Sequence, residues 1–286
     1  MNQNTIQRLL LFFIVVPLII VMIVFLPGFH HAAVSLSLVL VTAGAGWELA
    51  GLLRAKGFPV RRLETAGVGA IIPLLFLLST WLHHPIVPGR VALMGTAIVL
   101  ILLLTPFAFV KTDAINRLVP EVLGLVFALL YPGILAGYLV NITSALPHSI
   151  EATITFAALS IGNDSLAWLF GMTLGKRRNL IAVSPNKSVA GFVGGLAGSV
   201  AFAFVASILF PSMLPMNPFL LVALGLGTGS ATIIGDLFES ALKRSAGVKD
   251  SGHVIPGRGG FLDSIDSLLF AAPVFFGFCM VFGLFA

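Results

Sequence analysis

Apolar residues run through this chain in long blocks separated by short polar breaks. The blocks fall at 8–27, 32–53, 64–82, 90–110, 119–140, 150–174, 189–210, 217–242 and 265–285. Each holds ~20 residues, the length of helix that crosses a hydrocarbon core of about 30 Å. Backbone amides inside a bilayer must find partners within their own segment, so such blocks predict helices. The pattern predicts an all-α, polytopic integral membrane protein of about nine transmembrane helices. Pro17, Pro73, Pro106 and Pro132 fall within blocks, where proline kinks a helix. The first block is long for the apolar part of a signal peptide, and no clear small-residue cleavage site follows it. It reads as a retained anchor.

Composition agrees with the pattern. The residues are 58% hydrophobic and 9% charged, whereas a soluble domain carries about 25% charged residues. The net charge of +5 is small. It reflects loop placement and anionic lipid, not nucleic acid. Cys279 is the only cysteine, which excludes an intrachain disulfide and a Cys-based metal centre. Fifteen of the sixteen Lys and Arg residues fall on alternate breaks between blocks, and Arg90 alone falls on the other side. Cytoplasmic loops collect Lys and Arg. The N-terminus is therefore expected in the cytoplasm, the C-terminus outside, and the 243–262 loop in the cytoplasm. The expected location is the cell inner (plasma) membrane, multi-pass.

One stretch breaks the apolar pattern most sharply, Gly235 to Ser267. It holds five of the eleven acidic residues. Asp236, Glu239, Ser240 and Lys243 recur at i, i+3, i+4 and i+7, so a helix places them on one face. A Gly-rich turn follows, Gly257-Arg258-Gly259-Gly260, and then Asp263 and Asp266 open the last block. Carboxylates on both sides of such a turn suit a hard cation such as Mg²⁺, which takes oxygen ligands and substrate phosphate. Lys243, Arg244, Lys249 and Arg258 would meet phosphate charge. A solvated juxtamembrane loop explains the basic residues equally well. It does not explain Asp236, which ends an apolar and small-residue run and would be costly near lipid. Asp236 and Asp263 are the expected metal ligands, with Asp266 and Asp250 in reserve. Pairing of Asp236 with Lys243 is the alternative.

The sixth block carries Asn163 and Asp164, and an acid within a span is a functional candidate. A polar interhelical contact is the other reading. The following loop contains Ser184, Lys187 and Ser188 just before a helix start, a place where hydroxyls, a lysine and free amides can hold phosphate. Glu48 near the end of the second block either reaches an interhelical partner or snorkels to the interface. His253 reads as a solvated loop residue.

Two regions resemble a known family. Ser240-x-x-Lys243-Arg244, Lys249-Asp250-x-Gly252, Pro256-Gly257-x-Gly259-Gly260 and Asp263-x-x-Asp266 resemble the signature of the CDP-diacylglycerol synthases, or phosphatidate cytidylyltransferases. Asp164-Ser165-x-Ala167-Trp168 and Ser184-Pro185-x-Lys187-Ser188 resemble a second motif of that family. Arg258 stands where the family usually has His, and Ser264 where it has Arg. Val189 and Ala190 also depart from it. The resemblance covers about 160–286, so 1–149 reads as a variable set of N-terminal spans and 150–286 as the catalytic region.

The resemblance implies transfer of CMP from CTP to phosphatidate, with Mg²⁺ at Asp236 and Asp263. It implies catalytic roles for Lys243, Arg244, Lys249 and Asp250. It implies substrate contacts for Asp164, Ser184, Lys187, Ser188, Ser240, Arg258, Gly259 and Gly260. It also implies a homodimer and leaves room for K⁺ beside Mg²⁺. Three other readings stay open: a CTP-dependent polyprenol or phytol kinase, an ion-coupled transporter using Asp164 and Asp236, and an inactive family member.

Overall fold

The computed structural model of the chain describes residues 17–18, 21–23, 25–26, 28–82, 112–146, 148–176 and 181–283. Its described elements are helices: α1 (Gly28–Ala55), α2 (Arg62–Trp81), α3 (Thr112–Ala128), α4 (Leu135–Ser144), α5 (Ser149–Thr173), α6 (Val189–Leu209), α7 (Pro218–Ser245) and α8 (Leu262–Val281). A π-helical segment, Leu129–Ile134, joins α3 to α4, and Tyr131 within it leaves helical geometry next to Pro132. An isolated bridge pairs Ile255 with Gly259.

Six stretches among the described residues are long and apolar enough to cross a membrane. They are His31–Ala55, Arg62–Trp81, Asn116–Ser144, Val189–Leu209, Pro218–Ser245 and Leu262–Val281. The chain is thus a polytopic, all-helical membrane protein. The expected spans at 8–27 and 90–110 lie wholly or largely outside the described residues. The expected span at 150–174 is present as a helix, α5, but is not one of the six. Glu151 and the polar Asn163-Asp164-Ser165 triplet interrupt its apolar run.

The described residues form two compact units. One is drawn from the chain up to Ala145 together with Ser245–Ser264; the other is Leu146–Arg244 with Ile265 onward. In the first unit α2 packs on α1 so closely that a Cβ on Gly46 would lie 2.8 Å from the Thr65 carbonyl oxygen. Ile72, Phe76, Leu77, Leu129 and Val140 form its apolar core. The polar stretch between α7 and α8 belongs to this unit.

The second unit is assembled on small residues. Gly194 and Gly198 of α6 receive Phe170 and Leu166 of α5, while Gly162 of α5 receives Phe202. A Cβ on Gly225 of α7 would stand 2.6 Å from the Val200 Cα of α6. Lipid-facing helices gain little from hydrophobicity, so close backbone approach and interhelical hydrogen bonds hold them. Asn163 supplies such bonds. Its Nδ2 donates to Ser199 Oγ at 3.0 Å and to the Gly229 carbonyl at 3.4 Å, joining α5, α6 and α7. Ser199 Oγ in turn donates to the Leu159 carbonyl at 3.0 Å.

Candidate functional site

In the second unit the site begins at the start of α6. Ser188 is its N-cap: the backbone is extended there, and Oγ accepts from the Gly191 amide at 3.1 Å. Serine suits this place because its side chain satisfies an amide the first turn leaves free. Gly171 of α5 makes room, since a Cβ there would sit 3.3 Å from Ser188 Oγ. A turn precedes the cap, with the Lys187 amide donating to the Ser184 carbonyl at 3.2 Å. The turn directs Lys187 towards α7, where Nζ forms an ion pair with Asp236. The same ammonium lies 5.8 Å from the centre of the Phe192 ring, a cation–π contact.

Asp236 lies well inside α7, because the helix runs on to Ser245. Its ion-pair partner differs from the sequence alternative. Lys243 pairs with Glu239, one turn back on the same helix, and Glu239 is fully buried. That pairing leaves Asp236 to the lysine from the α6 loop. On α8, Asp266 is buried, and its Oδ1 accepts from the Ser267 amide at 2.6 Å and from Ser267 Oγ at 3.2 Å. Asp236, Asp164 and Lys243 all lie close enough to act on Asp266 through their charge. Close packing of α7 on α8 explains part of this. A Cβ on Gly235 would meet the Asp266 carbonyl oxygen at 2.6 Å, and the Phe238 and Phe270 rings lie 5.1 Å apart. Asp164 is exposed on α5, and Ser240 is half-buried on α7.

In the first unit the Gly-rich turn is folded around two carboxylates. Asp263 Oδ2 accepts from the Ser251 amide, Ser251 Oγ and the Gly260 amide, each at 2.8 Å. Glu48 of α1 is buried. Its Oε1 accepts from the Phe261 amide at 3.0 Å and its Oε2 from the Leu262 amide at 2.9 Å; Ser251 Oγ also lies 2.9 Å from Oε2, and Glu48 and Asp263 share its one proton. Glycine gives both acids their room. A Cβ on Gly252 or Gly260 would run into the Glu48 carboxylate, and one on Gly259 would lie 2.6 Å from Asp263 Oδ2. Gly259 also has φ +106°, which other residues rarely adopt. Asp250 lies beside Gly259, within 3.5 Å of where its Cβ would be. Arg244, Lys249, His253 and Arg258 are exposed. Ser264 Oγ donates back to the Gly260 carbonyl at 2.9 Å.

The structure therefore brings Lys187, Asp236, Asp266, Asp164 and Lys243 into one charged cluster. It gathers Asp263, Asp250, Gly259 and Gly260 in the loop unit. Two residues absent from the expected site, Glu48 and Ser251, are central to the loop. Among the described residues, no group of three or more His, Cys, Asp or Glu side chains is arranged to hold a metal by itself. Mg²⁺ asks for less, since one or two carboxylates with water and phosphate complete its shell.

Comparison with known proteins adds a family. Residues 6–282 match the model of a family described as "Cytidylyltransferase family". A protein of Bacillus subtilis named phosphatidate cytidylyltransferase is 31% identical over 82% of this chain and 85% of its own length. One of that name from Chlamydia pneumoniae is 27% identical over 92% of this chain and 88% of its own. "Uncharacterized protein YnbB" of Escherichia coli K12 is 42% identical, and this chain spans only 40% of its length.

Proposed function

Because the chain belongs to the cytidylyltransferase family, we propose that it transfers CMP from CTP to phosphatidate, giving CDP-diacylglycerol and pyrophosphate. One observation carries this reading beyond the family: Lys187 is ion-paired to Asp236 beside Asp266, Asp164 and Lys243, amid apolar helices. Mixed charge of this kind suits two anionic substrates and a cation. The names of the Bacillus and Chlamydia relatives support the same substrates.

In the proposed reaction a phosphate oxygen of the lipid attacks the α-phosphorus of CTP. The bond from that phosphorus to the α–β bridging oxygen breaks, and its electron pair leaves on pyrophosphate. The nucleophile is already an anion, so no general base is needed. The site must hold anions together and neutralise the leaving group. Mg²⁺, when bound, supplies charge to the pyrophosphate oxygens. The family resemblance assigns it to Asp236 and Asp263, with Asp266 and Asp250 in reserve. The donors fit a hard cation: all are carboxylates, and Asp266 is buried within charge range of two further acids.

Lys187 exchanges Asp236 for a phosphate oxygen when nucleotide binds, which leaves the Asp236 carboxylate for the cation. Ser184, Ser188 and Ser240 offer hydroxyls, and Asp164 orients the nucleotide. Lys243, Arg244, Lys249 and Arg258 balance the remaining phosphate charge. Gly259 and Gly260 set the turn that presents Asp263. The family resemblance adds K⁺ beside Mg²⁺ and a homodimer to this proposal.

The Lys and Arg bias adds a topology of nine spans in the plasma (inner) membrane, α5 among them, with the N-terminus and the active site cytoplasmic and the C-terminus outside. A cytoplasmic reading from a reporter after Ala286 would sink that topology.

The deciding experiment incubates purified full-length protein with labelled CTP, phosphatidate and Mg²⁺ and extracts the lipid. A CMP-bearing lipid is expected. Label-free lipid would overturn the proposal, and a phosphorylated alcohol with CDP release, when a polyprenol is supplied, would favour the kinase reading.

A further inference from the structure

We infer that Glu48 is a positioning residue: from α1 it clamps the Gly-rich loop and the start of α8, and so fixes Asp263. The inference deepens the CMP-transfer reading and rests on it. The contacts are specific. A helix start leaves its first amides unpaired, and the usual remedy is a side chain from the preceding residue or two. The residue before α8 is Phe261, which has no polar side chain to offer. Glu48 takes that role from another helix, accepting from the Phe261 amide at 3.0 Å and the Leu262 amide at 2.9 Å. Ser251 Oγ lies 2.9 Å from Glu48 Oε2 and 2.8 Å from Asp263 Oδ2, so one hydroxyl, whose single proton either carboxylate can take up in a hydrogen bond, stands between the clamp and the proposed metal ligand.

The surroundings are shaped to admit this carboxylate. Gly252 and Gly260 both lie against it, and a Cβ at either place would force the Glu48 carboxylate to move. One helical turn before Glu48, Gly44 receives the Phe261 ring in the same way. Glu48 is only 6% exposed, so a carboxylate is buried there with two backbone amides donating to it and the Ser251 hydroxyl, shared with Asp263, beside it. Burying a charge is costly unless it is so satisfied, which makes a merely incidental Glu at this place expensive. Outer partners that orient ligands to a metal commonly control its affinity and the activity that depends on it.

Glu48→Gln tests the clamp. The amide cannot accept at both positions, so its NH₂ group must face either the Phe261 or the Leu262 amide. Hydrogen–deuterium exchange of the full-length protein in detergent, without Mg²⁺, should show protection lost at one of the two amides, Phe261 or Leu262, and kept in α1 and α2. In the CMP-transfer assay kcat should fall about 10- to 100-fold, with a higher Mg²⁺ requirement and smaller changes in KM for CTP and phosphatidate. Ser251→Ala breaks the bridge but keeps both backbone contacts. It should raise the Mg²⁺ requirement with normal exchange at Leu262, and it serves as the test should Glu48→Gln fail to insert. Glu64→Gln, which removes an exposed pair with Arg61, is the control and should change neither measurement.

Unchanged protection at both Phe261 and Leu262 overturns the clamp, as does unchanged turnover and Mg²⁺ requirement in an active protein. If the unaltered protein transfers no CMP, the functional reading falls, and the exchange result alone upholds or overturns the clamp.

Discussion

Lys187, in the loop before α6, is ion-paired to Asp236, in the interior of α7. The pair joins a residue expected to hold phosphate to one expected to hold Mg²⁺. Both side chains are partly exposed, at 24% and 33%, so the pair adds little to stability, at most ~1 kcal/mol. Its value lies in what replaces it. Lys187→Ala should cost the charge-assisted bond to phosphate, ~1.5–3 kcal/mol or about 10- to 150-fold in kcat/KM for CTP. Thermal stability in detergent should stay near that of the unaltered protein. Unchanged Michaelis constants and turnover at normal expression would remove Lys187 from the site.

Gly225 and Gly277 make a matched pair of helix glycines. A Cβ on Gly225 meets backbone of α6 at Val200, whereas one on Gly277 has nothing within 4 Å. Backbone cannot rotate away as a side chain can. Gly225→Ala should therefore separate α6 from α7 and cost about 1–3 kcal/mol of stability. Gly277→Ala should be close to neutral. The check is the midpoint of thermal unfolding for the two variants side by side. Equal midpoints would mean that α6 and α7 do not touch through Gly225.

The helices are legible in the sequence because bilayer thickness imposes its length on each apolar block. The six membrane-length stretches correspond to six of the expected blocks, with edges shifted by a few residues. The α7 edge matters most: Asp236 closes the apolar run but not the helix, because Phe238 and the buried, lysine-paired Glu239 carry packing onward. The motif residues stand out in the sequence too, since their spacing is local. Glu48 is not. It lies 203 residues from Ser251 in the chain, and an acid near a span end looks the same whether it snorkels or binds. The usable signal is indirect. Gly252 and Gly260 leave a space, and a buried acid with no local partner must fill one somewhere.

Arg258 and Ser264 depart from the family pattern together. Arg258 is exposed on the turn, and Ser264 spends its hydroxyl on the Gly260 carbonyl at 2.9 Å. We predict that Arg258 provides the phosphate-facing charge that Ser264 lacks. Arg258→His combined with Ser264→Arg should then retain or raise CMP transfer, while Ser264→Arg alone gains little. If the double change turns an inert protein into an active one, compensation is the wrong idea and this chain is an inactive form.

Asp236 and Asp263 are the carboxylates whose charge the proposed reaction needs most. Each already has partners. Asp236 has Lys187, and Asp263 Oδ2 has three donors fixing its position. Asp→Asn keeps shape while removing charge, so it separates a ligand from a structural prop. At Asp263 the variant has one further consequence. An Asn can keep its carbonyl at the Oδ2 position, so the Ser251 and Gly260 contacts can survive and the loop should stay folded. Asp236→Asn and Asp263→Asn should each abolish Mg²⁺-dependent CMP transfer in protein that inserts and purifies normally. Raising Mg²⁺ should not restore Asp236→Asn, because an amide is a poor substitute for a carboxylate on a hard cation. If both variants keep near-normal turnover at low Mg²⁺, the metal is held elsewhere. Asp266 with Asp164 is then the next place to test, since the two already lie within charge range of each other.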